Sequence, residues 1–253
     1  MSYLLQHTRR AMLANTANGT TGAAMGTLAV DLKAFWELGE ASGTRMDSHT
    51  GGLDLSPVNT PGNAAGKVGD ALACVSASDQ RVSRASHADL VMGDIDFSIC
   101  FWAYMETVGD QTFLAKSSSG GTIEYAVHHS GGVGGVYFAV RNLANTGNGT
   151  VLAAVGSPPE DTWFFVVAWH DSVNNFLRAS LNNGTAGETS FSGGVRASTL
   201  DFNLGRDFWD GFKLNGRIDQ VGVWKRVLTA DERTYLYNAG AGRTYAEVLA
   251  ASP

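Results

Sequence analysis

Long hydrophobic runs and an excess of positive charge are both missing from this sequence. No apolar stretch approaches the roughly 20 residues of a membrane-spanning helix. Arg9 and Arg10 precede an apolar stretch, 11–14, that is too short for the hydrophobic region of a secretory signal. The formal net charge is −6, whereas non-specific nucleic-acid binding and docking on an anionic membrane need a basic surface. We therefore expect no nucleic-acid partner, no membrane insertion and no classical secretion.

Cysteine is scarce as well. Cys74 and Cys100 are the two cysteines of the chain, and neither belongs to a CxxC or zinc-ligand pattern. Both lie in apolar, strand-like runs. This placement favours buried free thiols over a disulfide.

The common catalytic motifs are also missing. The sequence contains no Gly-x-Ser-x-Gly, P-loop or HExxH pattern. His128 with His129, and His170 with Asp171, at first resemble metal-binding or catalytic pairs. Adjacent residues of a strand point to opposite faces of the sheet, so neither pair can converge on one ion. We expect ordinary, half-exposed histidines and no enzyme.

What the sequence does contain is a large apolar fraction and period-two patterns. Of its 253 residues, 44% are hydrophobic, which suffices for a sizeable core, and 31 glycines with only 17% charged residues are typical of many turns. Phe97, Ile99 and Phe101 alternate with a second, largely apolar face, which predicts a central strand over 96–105. Further strands are predicted at 33–38, 71–75, 112–116, 123–128, 136–141, 150–155, 163–169, 176–181, 200–206 and 214–224. This series predicts an all-β sandwich.

Both ends of the chain depart from the strand pattern. Thr229 and Glu232 form a capping box, which predicts one short helix near the C-terminus. Residues 1–27 include the Asn-, Gly-, Thr- and Ala-rich stretch 15–26, which is typical of a flexible connector. The segment 1–27 is either a disordered tail or an arm that attaches the domain, residues 28–253, to a larger assembly.

Five segments in order resemble a known family. They are AFWELGEASG (34–43), GKVGDAL (66–72), DFSICFW (96–102), LNNG (181–184) and GRIDQVGVW with LTADE (216–224 and 228–232). Together they closely resemble the laminin-G-like, concanavalin-A-like jelly-roll family, over about residues 28–245. The resemblance implies an antiparallel two-sheet jelly-roll sandwich with one short C-terminal helix.

The segment 236–245 resembles a form of this family that is common in bacteriophage virion proteins. This resemblance implies a non-catalytic structural or decoration protein on the virion surface, of a capsid or a tail, that is assembled in the host cytoplasm. Its expected partners are other virion proteins, bound through residues 1–27, and further copies of itself. A carbohydrate-binding adhesion module that recognises host-surface glycans is the alternative.

Asp219 is the most informative polar residue, because alternation places it on one face with the apolar residues that follow at alternate positions. A buried carboxylate must be paired or coordinated. Asp219 either accepts backbone or arginine hydrogen bonds, or binds a structural Ca²⁺ together with Glu40 and Asp47, as related jelly rolls often do. Gln220 stands where the family pattern usually has Glu, and this departure weakens the calcium interpretation.

The loop 207–212 places aromatic residues beside acids. Aromatic rings stack on sugars and carboxylates accept hydrogen bonds from hydroxyl groups. The candidate glycan-binding residues are Asp207, Phe208, Trp209 and Asp210. In the alternative interpretation, Phe208 or Phe212 packs at the rim of the sandwich and Trp209 contacts a neighbouring subunit.

Glycoside hydrolysis is a remote alternative for this fold. A retaining glycosidase needs two carboxylates roughly 5–5.5 Å apart, which in related enzymes come from a Glu-x-Asp-x-x-Glu run. This sequence has no such run. Asp94 and Asp96 are two residues apart, but they precede a predicted strand, where turn formation is their ordinary role.

Overall fold

The computed structural model of the protein describes residues 28–50, 52–118, 122–153, 156–207 and 212–251. The predicted arm, 1–27, lies outside this part of the chain. The described residues form fifteen β-strands and two short α-helices. The strands are β1 (Leu32–Trp36), β2 (Ser56–Val58), β3 (Gly62–Ala65), β4 (Asp70–Cys74), β5 (Arg81–Arg84), β6 (Phe97–Met105), β7 (Gln111–Ser118), β8 (Thr122–Ser130), β9 (Gly135–Arg141), β10 (Asn148–Leu152), β11 (Trp163–Asp171), β12 (Phe176–Leu181), β13 (Gly187–Ser190), β14 (Asp201–Leu204) and β15 (Gly216–Trp224).

The strands form two antiparallel sheets. One sheet has eight strands in the order β13-β12-β11-β6-β15-β4-β3, and β1 also pairs with β15. The other has seven strands in the order β10-β9-β8-β7-β14-β5-β2. Four of the seven pairings in the first sheet and three of the six in the second join strands that are not consecutive in sequence, and this crossing connectivity confirms the predicted jelly-roll sandwich.

Strand β6 shows why the sequence forms this sandwich. Phe97, Ile99 and Phe101 face the main core between the two sheets. Cys100 and Trp102 face the opposite way and belong to a second apolar cluster on the outer side of the eight-stranded sheet. Both faces of β6 are therefore buried, as the two apolar faces of its sequence predicted.

Two helices cover that outer side. Helix α1 (Ala230–Tyr237) carries the predicted capping box between Thr229 and Glu232. Helix α2 (Tyr245–Ala250) has a second capping box and packs Val248 into the same outer cluster. The predicted helix is confirmed, and a second one follows it. No helix among the described residues has the length and apolar character needed to cross a membrane.

Both cysteines are buried and free, as predicted. Burial raises the pKa of Cys74 and of Cys100 to about 12. The thiolate is the reactive form, so neither side chain is suited to nucleophilic or redox chemistry at neutral pH.

Candidate functional site

The outer face of the seven-stranded sheet carries a row of alanines on three neighbouring strands. Ala115 of β7 pairs with Ala126 of β8, which pairs with Ala139 of β9. Together with Ile123 they form an apolar cluster separate from the main core, and Tyr137 packs against its edge. All four of these side chains are buried.

A polar cluster borders these alanines. Nδ1 of His128 lies 2.8 Å from Oγ1 of Thr112, and Nε2 of His128 lies 3.5 Å from Oδ2 of Asp207. All three side chains are fully buried. Tyr137 stacks on the imidazole with 5.0 Å between ring centroids, and Phe212 meets it edge-on at 6.4 Å.

His128 is neutral at physiological pH. Burial lowers its pKa to about 4, although the neighbouring Asp207 carboxylate acts in the opposite direction. A neutral imidazole has one donor nitrogen and one acceptor nitrogen. The cluster therefore links β7 and β8 to the start of the 207–212 loop through polar contacts rather than through a full ion pair.

The structure changes the interpretation of the predicted glycan loop. Phe208, Trp209 and Asp210 lie outside the described residues. Asp207 was predicted to accept hydrogen bonds from sugar hydroxyls at the surface, but its side chain is fully buried beside His128. Its backbone N–H donates to the carbonyl of Phe212 at 3.1 Å, which closes the base of the loop. The side chain of Asp207 is therefore not exposed for contact with a sugar.

Asp219 anchors a turn. Its Oδ2 accepts hydrogen bonds from the backbone N–H groups of Lys67 at 2.7 Å and Val68 at 2.9 Å. A Cβ atom at Gly66 would come within 2.7 Å of the same oxygen, so this close approach requires glycine. Burial raises the pKa of Asp219 to about 7, an effect that these backbone hydrogen bonds partly offset. This geometry corresponds to the hydrogen-bonded alternative for Asp219.

The expected face of Asp219 is wrong. Ile218 and Val221 face the main core, whereas the alternation had placed Asp219 on the side of Val221. The strand register shifts between Asp219 and Gly222, and Gln220 adopts a left-handed conformation with φ 49°. This bulge inserts an extra residue, and the period-two pattern is offset from there on.

The residues predicted for calcium accept hydrogen bonds from the backbone. Oε1 of Glu40 accepts the backbone N–H of Met46 at 2.7 Å, and Oδ1 of Asp47 accepts that of Phe35 at 3.1 Å. Within the described ranges, no three His, Cys, Asp or Glu side chains are grouped so that they could hold a metal ion. The calcium site formed by Glu40, Asp47 and Asp219 stays an untested prediction that this arrangement does not favour.

The remaining polar pairs have structural partners. His128 and His129 contact different groups, as alternation predicted: Nδ1 of His129 lies 2.6 Å from the carbonyl of Gly109, and Nε2 lies 2.7 Å from Oγ of Ser157. The expected half-exposure is wrong, because His128, His129 and His170 are all fully buried. Their partners are distant in sequence, so no local signal indicates them.

Asp96, a candidate in the remote hydrolase alternative, also has a structural partner. Its Oδ1 accepts hydrogen bonds from both the backbone N–H and the hydroxyl of Ser172, each at 2.8 Å. These contacts tie the start of β6 to the turn after β11. They match the turn-forming role that the sequence predicted.

The family can now be stated. A family model described as the concanavalin A-like lectin/glucanases superfamily, of laminin-G type, matches residues 77–232, which is more than half of the chain. The chain belongs to this superfamily. Among curated proteins, none matches the sequence.

Solved structures share the fold of this superfamily member at low sequence identity. The binding domain of Paraclostridial Mosquitocidal Protein 1 has a TM-score of 0.68 and 11% identity, over 83% of this chain and 53% of that one. Domain 4 of the extracellular arabinanase AbnA from Geobacillus stearothermophilus, solved with arabinotriose, has a TM-score of 0.64 and 16% identity, over 84% of this chain and 98% of that one. The ligand-binding domain of botulinum neurotoxin serotype D, solved with N-acetylneuraminic acid, has a TM-score of 0.62 and 10% identity, over 85% and 52%.

The share of each matched chain that is covered differs between these structures. The superfamily member spans about half the length of the mosquitocidal and neurotoxin binding domains, and nearly all of the arabinanase domain. At such identities the likeness concerns the fold.

Proposed function

We propose that this domain is a non-catalytic carbohydrate-binding module whose ligand lies on the outer face of the seven-stranded sheet, beside the loop 207–212. The observation that carries the proposal is the pair of half-buried rings, Tyr137 and Phe212, that contact His128 on this face. Ligand sites typically combine apolar and aromatic walls with a few fixed polar groups. The arabinanase domain and the neurotoxin domain, both solved with saccharides, support this class of ligand.

A buried acceptor lies on the same face of the sheet. Asn203 of β14 pairs with Ala115 and is fully buried. Its amide nitrogen donates to the carbonyl of Asp201 at 3.3 Å, but its Oδ1 has no hydrogen-bond partner among the described residues. Leaving a buried acceptor unpaired costs free energy. A buried water would satisfy it.

The site does not support hydrolysis. Among the described residues, Asp207 is the one carboxylate in contact with the cluster, and a glycosidase needs a second carboxylate at a fixed separation. The neighbouring His128 is neutral, but it is fully buried between Thr112, Asp207 and Tyr137. We therefore propose binding without turnover.

The setting that we propose is the surface of a bacteriophage particle, with many copies attached through residues 1–27. The support for this setting is the resemblance of segment 236–245 to virion proteins of this family. Mass spectrometry of purified particles tests the location. Deletion of residues 1–27 tests the attachment: it should abolish incorporation into particles and leave sugar binding intact.

A glycan array with the full chain tests the binding function. Tyr137→Ala should weaken binding of any glycan found on the array about tenfold or more, because it removes one of the two half-buried rings of the proposed site. Tyr104→Ala is the matched control, since Tyr104 is a partly exposed tyrosine on β6 of the other sheet. Absence of binding to every glycan, with and without Ca²⁺, would contradict the proposal. So would an equal loss in both variants.

A further inference from the structure

A histidine outside the proposed glycan site contacts an exposed serine. Nδ1 of His129 lies 2.6 Å from the carbonyl oxygen of Gly109, and Nε2 lies 2.7 Å from Oγ of Ser157. The side chain of His129 is fully buried, whereas Ser157 is exposed. Because adjacent residues of a strand point to opposite faces, His129 faces away from His128 and its partners. The contact between His129 and Ser157 is therefore separate from the proposed glycan site.

The carbonyl of Gly109 fixes the tautomer of His129. A carbonyl oxygen only accepts hydrogen bonds, so Nδ1 carries the proton and donates it. In the neutral imidazole Nε2 is then an acceptor, and it accepts the hydroxyl proton of Ser157. The carbonyl of Pro158 is a more distant acceptor for the same hydroxyl, at 3.3 Å. An exposed hydroxyl thus donates to a base that a third group orients, which is the arrangement of an activated serine nucleophile.

The segment that carries Ser157 has a restricted backbone and open space beside it. Pro158 and Pro159 follow the serine, and a proline fixes its own φ and restricts the residue before it. Cβ atoms built at Gly156 and Gly109 would meet no atom of the described residues within 4 Å, apart from their chain neighbours. A reactant therefore has room to approach Oγ while the backbone holds this atom against Nε2.

The surroundings of Gly109 favour an apolar, uncharged reactant. Val108 is 43% exposed, and Val133, in the turn after β8, is 62% exposed. This turn lies close to Gly109, because a Cβ atom at Gly131 would be 3.5 Å from the Cα atom of Gly109. Oε1 of the exposed Glu160 accepts the backbone N–H of Val108 at 2.6 Å, and its negative charge disfavours anions. Apolar groups gain free energy from contact with exposed valines.

We infer that Ser157 is a nucleophilic serine, which takes an acyl group from an activated, uncharged carboxylic ester. As Oγ bonds to the carbonyl carbon of the ester, the hydroxyl proton passes to Nε2 of His129. The ester C–O bond then breaks, and the departing alcohol takes the proton from Nε2. The product is an acylated Ser157, with one acyl group per chain. This inference goes beyond the proposed function and does not depend on it.

Acetylation of the full chain by p-nitrophenyl acetate tests the inference. We expect peptide mass spectrometry to find the acetyl group on Ser157, and p-nitrophenolate to be released about tenfold faster than from Ser157→Ala. Ser56→Ala is the matched control and should react like the wild type, since Ser56 is an exposed serine that also precedes a proline. An equal rate in Ser157→Ala, or acetylation only at other side chains, overturns the inference.

A cysteine substitution tests the base independently of ester chemistry. A thiol that donates to a neutral imidazole forms the reactive thiolate more readily. Burial raises the pKa of Cys74 and of Cys100 to about 12, so the native thiols give a low background. At neutral pH, iodoacetamide should alkylate Ser157→Cys at least tenfold faster than Ser56→Cys, and the alkylation rate should reach its plateau at a lower pH. Equal rates in the two variants overturn the inference.

Discussion

Lys116 and Glu124 form a fully buried ion pair inside the sandwich, with 2.6 Å between Nζ and Oε2. Ser198 completes the pair, because its hydroxyl donates to Oε2 at 2.5 Å and its carbonyl accepts from Nζ at 2.6 Å. The backbone N–H of Met92 donates to the other carboxylate oxygen at 2.6 Å. The pair thus joins β7 and β8 to two loops that cross the end of the core.

Removal of one partner of this pair should destabilise the fold. Glu124→Gln leaves the Lys116 charge buried without its counter-charge, and breaking a buried pair in this way typically costs about 3–5 kcal/mol. Burial already lowers the pKa of Lys116, and Glu124 opposes that shift. The free energy of unfolding, measured in urea, should fall by about that amount.

The double variant Lys116→Met/Glu124→Leu is the control for this prediction. Replacing both charges with apolar side chains removes the desolvation cost together with the attraction, so it should recover most of the stability lost in Glu124→Gln. A double variant that is less stable than Glu124→Gln would contradict this prediction. It would show that the attraction between the two charges outweighs the cost of burying them.

The fold was predictable from sequence where strands are long and apolar. β6 was recognised because Phe97, Ile99 and Phe101 form one apolar face and the other face is apolar as well. The strands β2, β3, β5 and β13 were missed, because each has only three or four residues and little apolar alternation. Such strands form because a long neighbour offers hydrogen bonds, and that information is not local.

The candidate site was less predictable, because it joins residues from distant parts of the chain. The aromatic and acidic composition of 207–212 points to the loop, but nothing near Asp207 in sequence indicates that its side chain is buried beside His128. The bulge at Gln220 likewise depends on backbone conformation rather than on residue type.

Stability should depend on pH through His128. Its pKa is about 6.5 in an unfolded chain and about 4 in the folded protein, so the unfolded state binds more protons between these values. This contribution is fully present above pH 6.5 and is lost as the pH falls towards 4, to a total of about 3 kcal/mol. His128→Gln should flatten this part of the profile, measured by urea unfolding at a series of pH values.

His87→Gln is the matched control for that profile. His87 is a histidine with 44% of its side chain exposed, next to Asp89, and it lies outside the cluster. Its replacement should leave the profile unchanged. If the stability profile of His128→Gln keeps the wild-type slope and that of His87→Gln does not, the pH dependence arises from His87 and the prediction is contradicted.

Asp219 should act in the opposite direction. Because its folded pKa is raised from 3.8 to about 7, the folded state binds more protons in this window, and stability falls as the pH rises through it. Asp219→Asn removes this slope and keeps an oxygen that accepts from Lys67 and Val68, so above pH 7 it should be at least as stable as the wild type. Asp219→Ala also lacks the slope but leaves both N–H groups unpaired, so it should be about 1–3 kcal/mol less stable than Asp219→Asn at every pH.

Removal of calcium should leave stability unchanged. Glu40, Asp47 and Asp219 each use one carboxylate oxygen to accept backbone N–H groups, and among the described residues no three such side chains are grouped around one point. The melting temperature should therefore be the same in excess Ca²⁺ and in excess EDTA, and Asp219→Asn should respond identically to both. A melting temperature that falls on chelation in the wild type, but not in Asp219→Asn, would restore the calcium interpretation, because only a metal bound through this carboxylate links the two effects.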